Sequence, residues 1–144
     1  ARVAVANAGF KPRVIATDLQ LNLGPLGGVA TALHSTRHSR VLFLGCDMPF
    51  LSDNFIKEFF AAATYGVGPI FTRHKKGVGF PFLLHRSDLA LVEKQIERGS
   101  LSLQRLAKRL KAREWQPPAT RVPELFNINT PADLAEAKRR FKVA

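Results

Sequence analysis

A carboxylate at the end of an apolar strand is a natural place for metal and phosphate chemistry. Asp47 follows Val41-Leu42-Phe43-Leu44, a continuous apolar run of the kind found in strands buried on both faces. It is therefore expected at the carboxyl end of a central strand, the edge where open α/β sheets bind ligands. A carboxylate there can hold Mg²⁺, a hard cation that takes carboxylate and phosphate oxygens together. Gly45 permits close backbone approach and Pro49 turns the chain away. Taken alone, the residue fits equally well as a carboxylate that caps a turn.

Three other groups bear on chemistry. Gly24-Pro25-Leu26-Gly27-Gly28 reads as a glycine-rich loop before a helix. Its bare backbone and the helix N-terminus can receive a phosphate or a nucleoside. It matches neither the P-loop nor the dinucleotide fingerprint, and a plain loop accounts for it as well. Asn127 and Asn129 lie just before a well-capped helix. Their amides can bond a base or ribose, offer a carbonyl to a metal, or simply satisfy turn backbone. Asp18 closes a strand and reads equally as a turn residue. The four histidines show no ligand spacing, no G-x-S-x-G is present, and Cys46 is expected to be buried in its strand.

Strands that alternate with helices must position these groups. Strands are expected at Val3–Ala6, Arg13–Thr17, Val41–Leu44, Val67–Thr72 and Phe80–Leu84, with Pro81 marking an edge or a strand start. A basic loop, Arg73–Gly77, separates the last two. Helices are expected after Gly28, after the cap Ser52 (with Phe55, Ile56, Phe59, Phe60 and Ala63 on one face), from Ser87 to Gly99, and around Leu103–Leu110. A last helix opens on Thr130-Pro131-Ala132-Asp133, with Thr130 as N-cap and Pro131 at its first position. Leu134, Ala137 and Phe141 form its buried stripe. The alternation predicts an α/β layer architecture in a single domain over residues 1–144.

Composition bounds the partners. The 144 residues suffice for a sizeable core, and 46% hydrophobic with 23% charged residues is ordinary for a globular protein. No apolar run approaches the roughly 20 residues that span a bilayer, and no signal peptide is recognisable. A lone cysteine excludes an internal disulfide framework and fits a reducing cytoplasm. The net charge of +11 favours anionic partners, although part of it solvates helix faces. Most phenylalanines fall on apolar faces, and there is one Trp and one Tyr, which weakens a nucleic-acid reading.

Gly24-Pro25-Leu26-Gly27-Gly28, then Leu44-Gly45-Cys46-Asp47-Met48-Pro49-Phe50-Leu51, then Phe126-Asn127-Ile128-Asn129-Thr130-Pro131-Ala132-Asp133-Leu134 resemble the MobA family in order and spacing. The stretch Gly79–Leu84 resembles a later strand region of that family. The resemblance implies a three-layer, Rossmann-like α/β fold of the nucleotide-diphospho-sugar transferase type, its mostly parallel sheet flanked by helices. It implies an enzyme that transfers GMP from GTP to the terminal phosphate of molybdopterin, releases pyrophosphate and uses Mg²⁺. By position, Asp47 would be the Mg²⁺ ligand and a catalytic residue. Asn7, Asp18, Gly24, Pro25, Leu26, Gly28 and Asp47 would line the nucleotide site. Asn127 and Asn129 would lie by the metal and the molybdopterin phosphate, with Asn129 catalytic. GTP and the molybdenum cofactor are the implied small-molecule partners, and molybdoenzymes or other cofactor-biosynthesis proteins the implied protein partners, in the cytoplasm.

The family opens with a strand and a glycine-rich loop that ends in a lysine, and nothing in this sequence matches them. Ala1 begins about one βα unit into the family pattern, so the domain is expected to be N-terminally incomplete and, as it stands, inactive. A molybdopterin cytidylyltransferase or another nucleotidyltransferase is the neighbouring alternative. The cytidylyl relatives tend to carry aspartates where Asn127 and Asn129 stand. A non-catalytic basic module that binds nucleic acid or a protein partner is the alternative from another class.

Overall fold

The computed structural model describes residues 23–143. The strands expected at Val3–Ala6 and Arg13–Thr17, and with them Asn7 and Asp18, lie outside the described residues.

Helix α1 (Gly24–Ser35) starts earlier than its glycines suggest, because Gly24–Gly28, expected as a loop, forms its first turns. Pro25 lies in that first turn, where a missing N–H costs nothing. Gly24 takes a φ of 54°, which glycine adopts without steric penalty. Strand β1 (Arg40–Phe43) follows, then α2 (Asp53–Thr64), β2 (Ile70–His74) and β3 (Gly77–His85). A 3₁₀ turn at Arg86–Asp88 leads into α3 (Leu89–Glu97), so that helix begins after Ser87 rather than at it. Helix α4 (Leu103–Arg109), strand β4 (Arg113–Trp115), a second 3₁₀ turn (Val122–Leu125) and α5 (Pro131–Val143) complete the described chain.

The four strands form one sheet in the order β1-β3-β2-β4. Strand β3 runs antiparallel to both neighbours, and β4 pairs parallel with β2. Strands β1, β2 and β4 therefore share one direction, and β3 alone runs against them. This is the expected layered α/β sheet, made mixed by one inserted strand.

Alternating side chains divide the core between two faces. On one face Phe43, Phe71, Val78, Phe82 and Leu84 meet Leu26, Val29 and Leu33 of α1, Val92 of α3 and Leu106 of α4. On the other, Ile70 and Leu83 meet Phe59 and Ala63 of α2, with Trp115 beside them. Phe82 is fully buried and stacks between Phe43 and Phe71, with ring centroids 4.9 and 4.6 Å away. Arg113 joins the layers by donating to the carbonyls of Ala62 and Ala63 in the last turn of α2, both at 3.2 Å. That contact also sets a cation against the negative end of the helix.

Pro81 lies neither on an edge strand nor at a strand start, because β3 is internal. The register explains how: Phe71 opposes Phe82 while Thr72 opposes Gly79, so Phe80 and Pro81 bulge from the ladder. Pairing with β1 reaches only Phe82, so the proline nitrogen is asked for no ladder bond. The hydroxyl of Thr72 donates to the Pro81 carbonyl at 2.7 Å, and His74 Nε2 lies 2.7 Å from the Phe80 carbonyl. Two β2 side chains thus satisfy the carbonyls that the bulge frees.

Other expectations shift. Strand β2 begins at Ile70 rather than Val67, since Gly68 takes a φ of 96° and Val67 is 94% exposed. Arg73 and His74 belong to β2, which confines the basic turn to Lys75-Lys76. In α5 only Ala137 of the expected stripe is buried; Leu134 and Phe141 are 43% and 59% exposed. Phe60 of α2 is also exposed. No helix among the described residues is long and apolar enough to cross a membrane.

Candidate functional site

Strand β1 ends at Phe43, and the chain leaves the carboxyl edge of the sheet through Leu44–Asp47. Because the strand stops there, Cys46 is exposed and not buried as its apolar neighbours suggest. Asp47 folds back over Gly45, where an added Cβ would sit 2.6 Å from Asp47 Oδ1 and 3.1 Å from Met48 Sδ. Gly45 is thus the cradle of the carboxylate, and any side chain there would displace it. Met48 is buried and anchors the turn.

The segment Phe126–Asn129 returns to this turn from the far end of the chain. The Ile128 N–H donates to the Asp47 carbonyl at 2.8 Å. The rings of Phe50 and Phe126 lie 5.8 Å apart, and Arg140 of α5 stands 4.5 Å above the Phe126 ring. The turn of Asp47 and the segment of Asn127 and Asn129, 80 residues further along the chain, are therefore joined through their backbones. Asn127 Oδ1 is buried and has no hydrogen-bond partner among the described residues. Since an unpaired buried amide oxygen is costly, this one invites a ligand.

Asn129 is exposed, and its backbone is held by the cap of α5. Asp133 Oδ2 accepts from the N–H groups of Asn129 (3.1 Å) and Thr130 (2.8 Å), while the Asp133 N–H donates to Thr130 Oγ1 at 3.1 Å. This is the capping box that the sequence predicts. The Thr130 hydroxyl first, and the Asn129 and Thr130 N–H groups with it, hold the Asp133 carboxyl below the usual aspartate range.

Gly24, Pro25, Leu26 and Gly28 lie in the first turns of α1. Only residues 36–39 join α1 to β1, so the helix runs back along the sheet and brings its N-terminus to the carboxyl edge. Leu26 is fully buried in the core, which leaves only its backbone to meet a ligand. Among the described residues no hydrogen bond links this turn to Asp47.

A polar cluster at the root of the site escapes the motif reading. Glu124 Oε2 accepts from the Ser52 N–H at 2.9 Å, and Glu124 Oε1 pairs with Arg121 at 3.0 Å. Arg121 also pairs with Glu58 of α2 at 2.9 Å. Burial works to raise the Glu124 pKa, but the bonds from Ser52 and Arg121 outweigh it and hold the carboxyl low. The bond to Glu58, followed by that to Glu124, strengthens the protonation of Arg121. One sequence signal was available: the third position of α2 is Phe55, so its cap at Ser52 lacks the local Glu or Gln that closes a capping box.

Among the described residues no three His, Cys, Asp or Glu side chains gather as a metal cage. The donors present still suit Mg²⁺, which keeps several waters and needs only one or two carboxylates beside substrate phosphates. The candidate donors are the Asp47 carboxylate and the unpaired Asn127 amide oxygen.

Residues 2–114 match the family of the MobA-like NTP transferase domain. The chain is 27% identical over 135 residues to a molybdenum cofactor guanylyltransferase of Desulfosudis oleivorans, covering 90% of this chain and 67% of that protein. It is 30% identical over 115 residues to a molybdenum cofactor guanylyltransferase of Vibrio atlanticus, covering 78% of this chain and 58% of that protein. The fold is that of the crystal structure of molybdopterin-guanine dinucleotide biosynthesis protein A from Archaeoglobus fulgidus: TM-score 0.74, 21% identity, 88% of this chain and 67% of that one. The chain thus spans about three fifths to two thirds of the length of these relatives. With the family matched over residues 2–114 of 144 and the layered fold in agreement, the chain belongs to the MobA-like NTP transferase domain family.

Proposed function

We propose that this chain carries part of a molybdenum cofactor guanylyltransferase site, in which GMP passes from GTP to the terminal phosphate of molybdopterin. The observation that supports the reading is the Ile128–Asp47 backbone hydrogen bond, which joins the Asn127–Asn129 segment, with its unpaired Asn127 oxygen, to the strand-end turn that carries Asp47. An oxygen of the acceptor phosphate bonds to the α-phosphorus of GTP as the bond to the β-phosphate oxygen breaks, and pyrophosphate leaves. Such a transfer needs positioning and charge neutralisation more than a protein nucleophile.

Asp47 and Asn127 would hold Mg²⁺, which when bound offsets charge on the phosphates. Asn129, exposed beside them, would offer its amide to the acceptor phosphate. The N-terminal turn of α1, from Gly24 to Gly28, would present backbone N–H groups to the nucleotide. Asn7 and Asp18 would complete the nucleotide side. The surplus of cations, which includes Lys138 and Lys142 on α5, favours the approach of two anionic substrates. The cytoplasm, where both substrates would be met, is the compartment this reading implies.

The test is Asp47→Asn, a change that keeps volume and removes charge. Mg²⁺-dependent transfer should fall at least about 100-fold, with the melting temperature little changed. Wild-type turnover would sink the assignment. Thermal shifts with Mg²⁺ and GTP, CTP or ATP then identify the base, and GTP should stabilise most. A larger shift with CTP would point to a cytidylyl enzyme. Salt-dependent binding to unrelated DNA, without any nucleotide response, would point to a binding module.

A further inference from the structure

We infer that Glu124 is a positioning residue that holds the Asn127-Ile128-Asn129 segment against Asp47 by closing, from the far end of the chain, the capping box of α2. A complete capping box has two halves. The Ser52 hydroxyl supplies the first, accepting from the Phe55 N–H at 3.1 Å. The second is an acceptor for the N-cap N–H, which the third helical residue normally provides. That position is Phe55, fully buried and packed edge-on against Trp115 at 5.2 Å, so it cannot serve. Glu124, 72 residues away, accepts from the Ser52 N–H instead.

This bond ties together the roots of both halves of the site. Ser52 ends the turn that carries Asp47, and Glu124 begins the approach to Asn127. Arg121 braces the carboxylate through Oε1 and is itself anchored to Glu58, in the middle of α2. Between this clamp and the Ile128–Asp47 bond lie the Phe50 and Phe126 rings, so the two segments are fastened at both ends of one seam. Glu124 touches no reacting atom; its part is to keep the Asn127 and Asn129 amides in register with Asp47. A charge-assisted bond such as Glu124 to Ser52 is worth more than a neutral one.

The consequence for guanylyl transfer rests on the function proposed above, but the docking itself does not. Amide hydrogen exchange at Ile128 reads the docking. In Glu124→Ala, Ile128 exchange should rise roughly ten-fold or more, while Leu84 in β3 stays as in the wild type. Glu124→Gln, which keeps one acceptor oxygen for Ser52, should restore most of the protection. In the transfer assay, Glu124→Ala should lower kcat or raise KM for the acceptor, leave KM for GTP unchanged, and be rescued in part by Gln. Unchanged Ile128 exchange in Glu124→Ala overturns the inference, as does an equal rise at Ile128 and Leu84. If Glu124→Ala does not fold, Arg121→Ala must still raise exchange selectively at Ile128, and failure to do so overturns it equally. A wild type without transfer activity, combined with the selective exchange response, refutes the guanylyl reading alone.

Discussion

Gly45→Ala separates the carboxylate's position from the stability of the fold. The new Cβ would lie 2.6 Å from Asp47 Oδ1, and ordinary contact begins at 3.4 Å, so the carboxylate must retreat by about 0.8 Å. Asp47 has a short side chain, and such a retreat takes it off its rotamer at about 0.5–1.5 kcal/mol. Met48, an adaptable thioether at 3.1 Å, gives way more easily. Against this, alanine restricts the unfolded chain and returns about 0.4–1 kcal/mol, since Gly45 does not use a left-handed φ. The two effects nearly cancel, so urea unfolding should change by less than about 1 kcal/mol. Nucleotidyl transfer should nevertheless fall on the order of 100-fold, the cost of a displacement near 1 Å in a positioned group. A cycle with Asp47→Ala isolates the contact: Gly45→Ala should become stabilising once the carboxylate is gone, with a coupling of about 0.5–1.5 kcal/mol. An equal effect of Gly45→Ala in both backgrounds would refute the reasoning, because the carboxylate would then not rest on Gly45.

Phe82→Ala removes the ring sandwiched between Phe43 and Phe71 at the centre of the sheet. It should cost about 3–5 kcal/mol by urea unfolding, and a loss below 1 kcal/mol would contradict the stacked core. The cap of α5 should respond to acid. The folded-state pKa of Asp133 is depressed, so its contribution is present above the unfolded value of about 3.9 and is lost as pH falls through the lower folded value. The Asn129 and Thr130 amide resonances should therefore titrate together below about pH 4, and Asp133→Asn should abolish that titration. A midpoint at or above the ordinary aspartate value would refute the cap.

Local chemistry made several elements legible. Ser52 and Thr130 cap the helices that their sequences announce, because each cap is a contact between neighbours in the chain. The apolar runs expected as strands at Val41–Leu44 and Phe80–Leu84 lie in β1 and β3, but only β3 is well covered, while β1 stops at Phe43 and leaves Leu44 exposed. Failures came where a local rule met a distant partner. Pro81 suggests an edge until Thr72 and His74 of the neighbouring strand take up the carbonyls of its bulge. Phe141 shares the helical spacing of Ala137, yet its ring, 5.0 Å from that of the half-buried Phe50, stays 59% exposed. Periodicity specifies a face but not whether anything covers it.

The site divides along the same line. Asp47 was legible as a carboxylate on a sheet edge, and the three motifs in order supplied its company. What they could not supply is the means by which residues near 47 and near 128 stay together. The family match ends at Glu114, before Asn127, so it covers Ser52 and Glu58 but not Arg121 and Glu124. The N–H of Ser52, the N-cap of α2, is bound from 72 residues away, so the later segment completes the start of that helix. The turn that carries Asp47 is thus tied to the Asn127 segment at two points, through Ser52 and through the Asp47 carbonyl, by contacts that no local sequence rule announces.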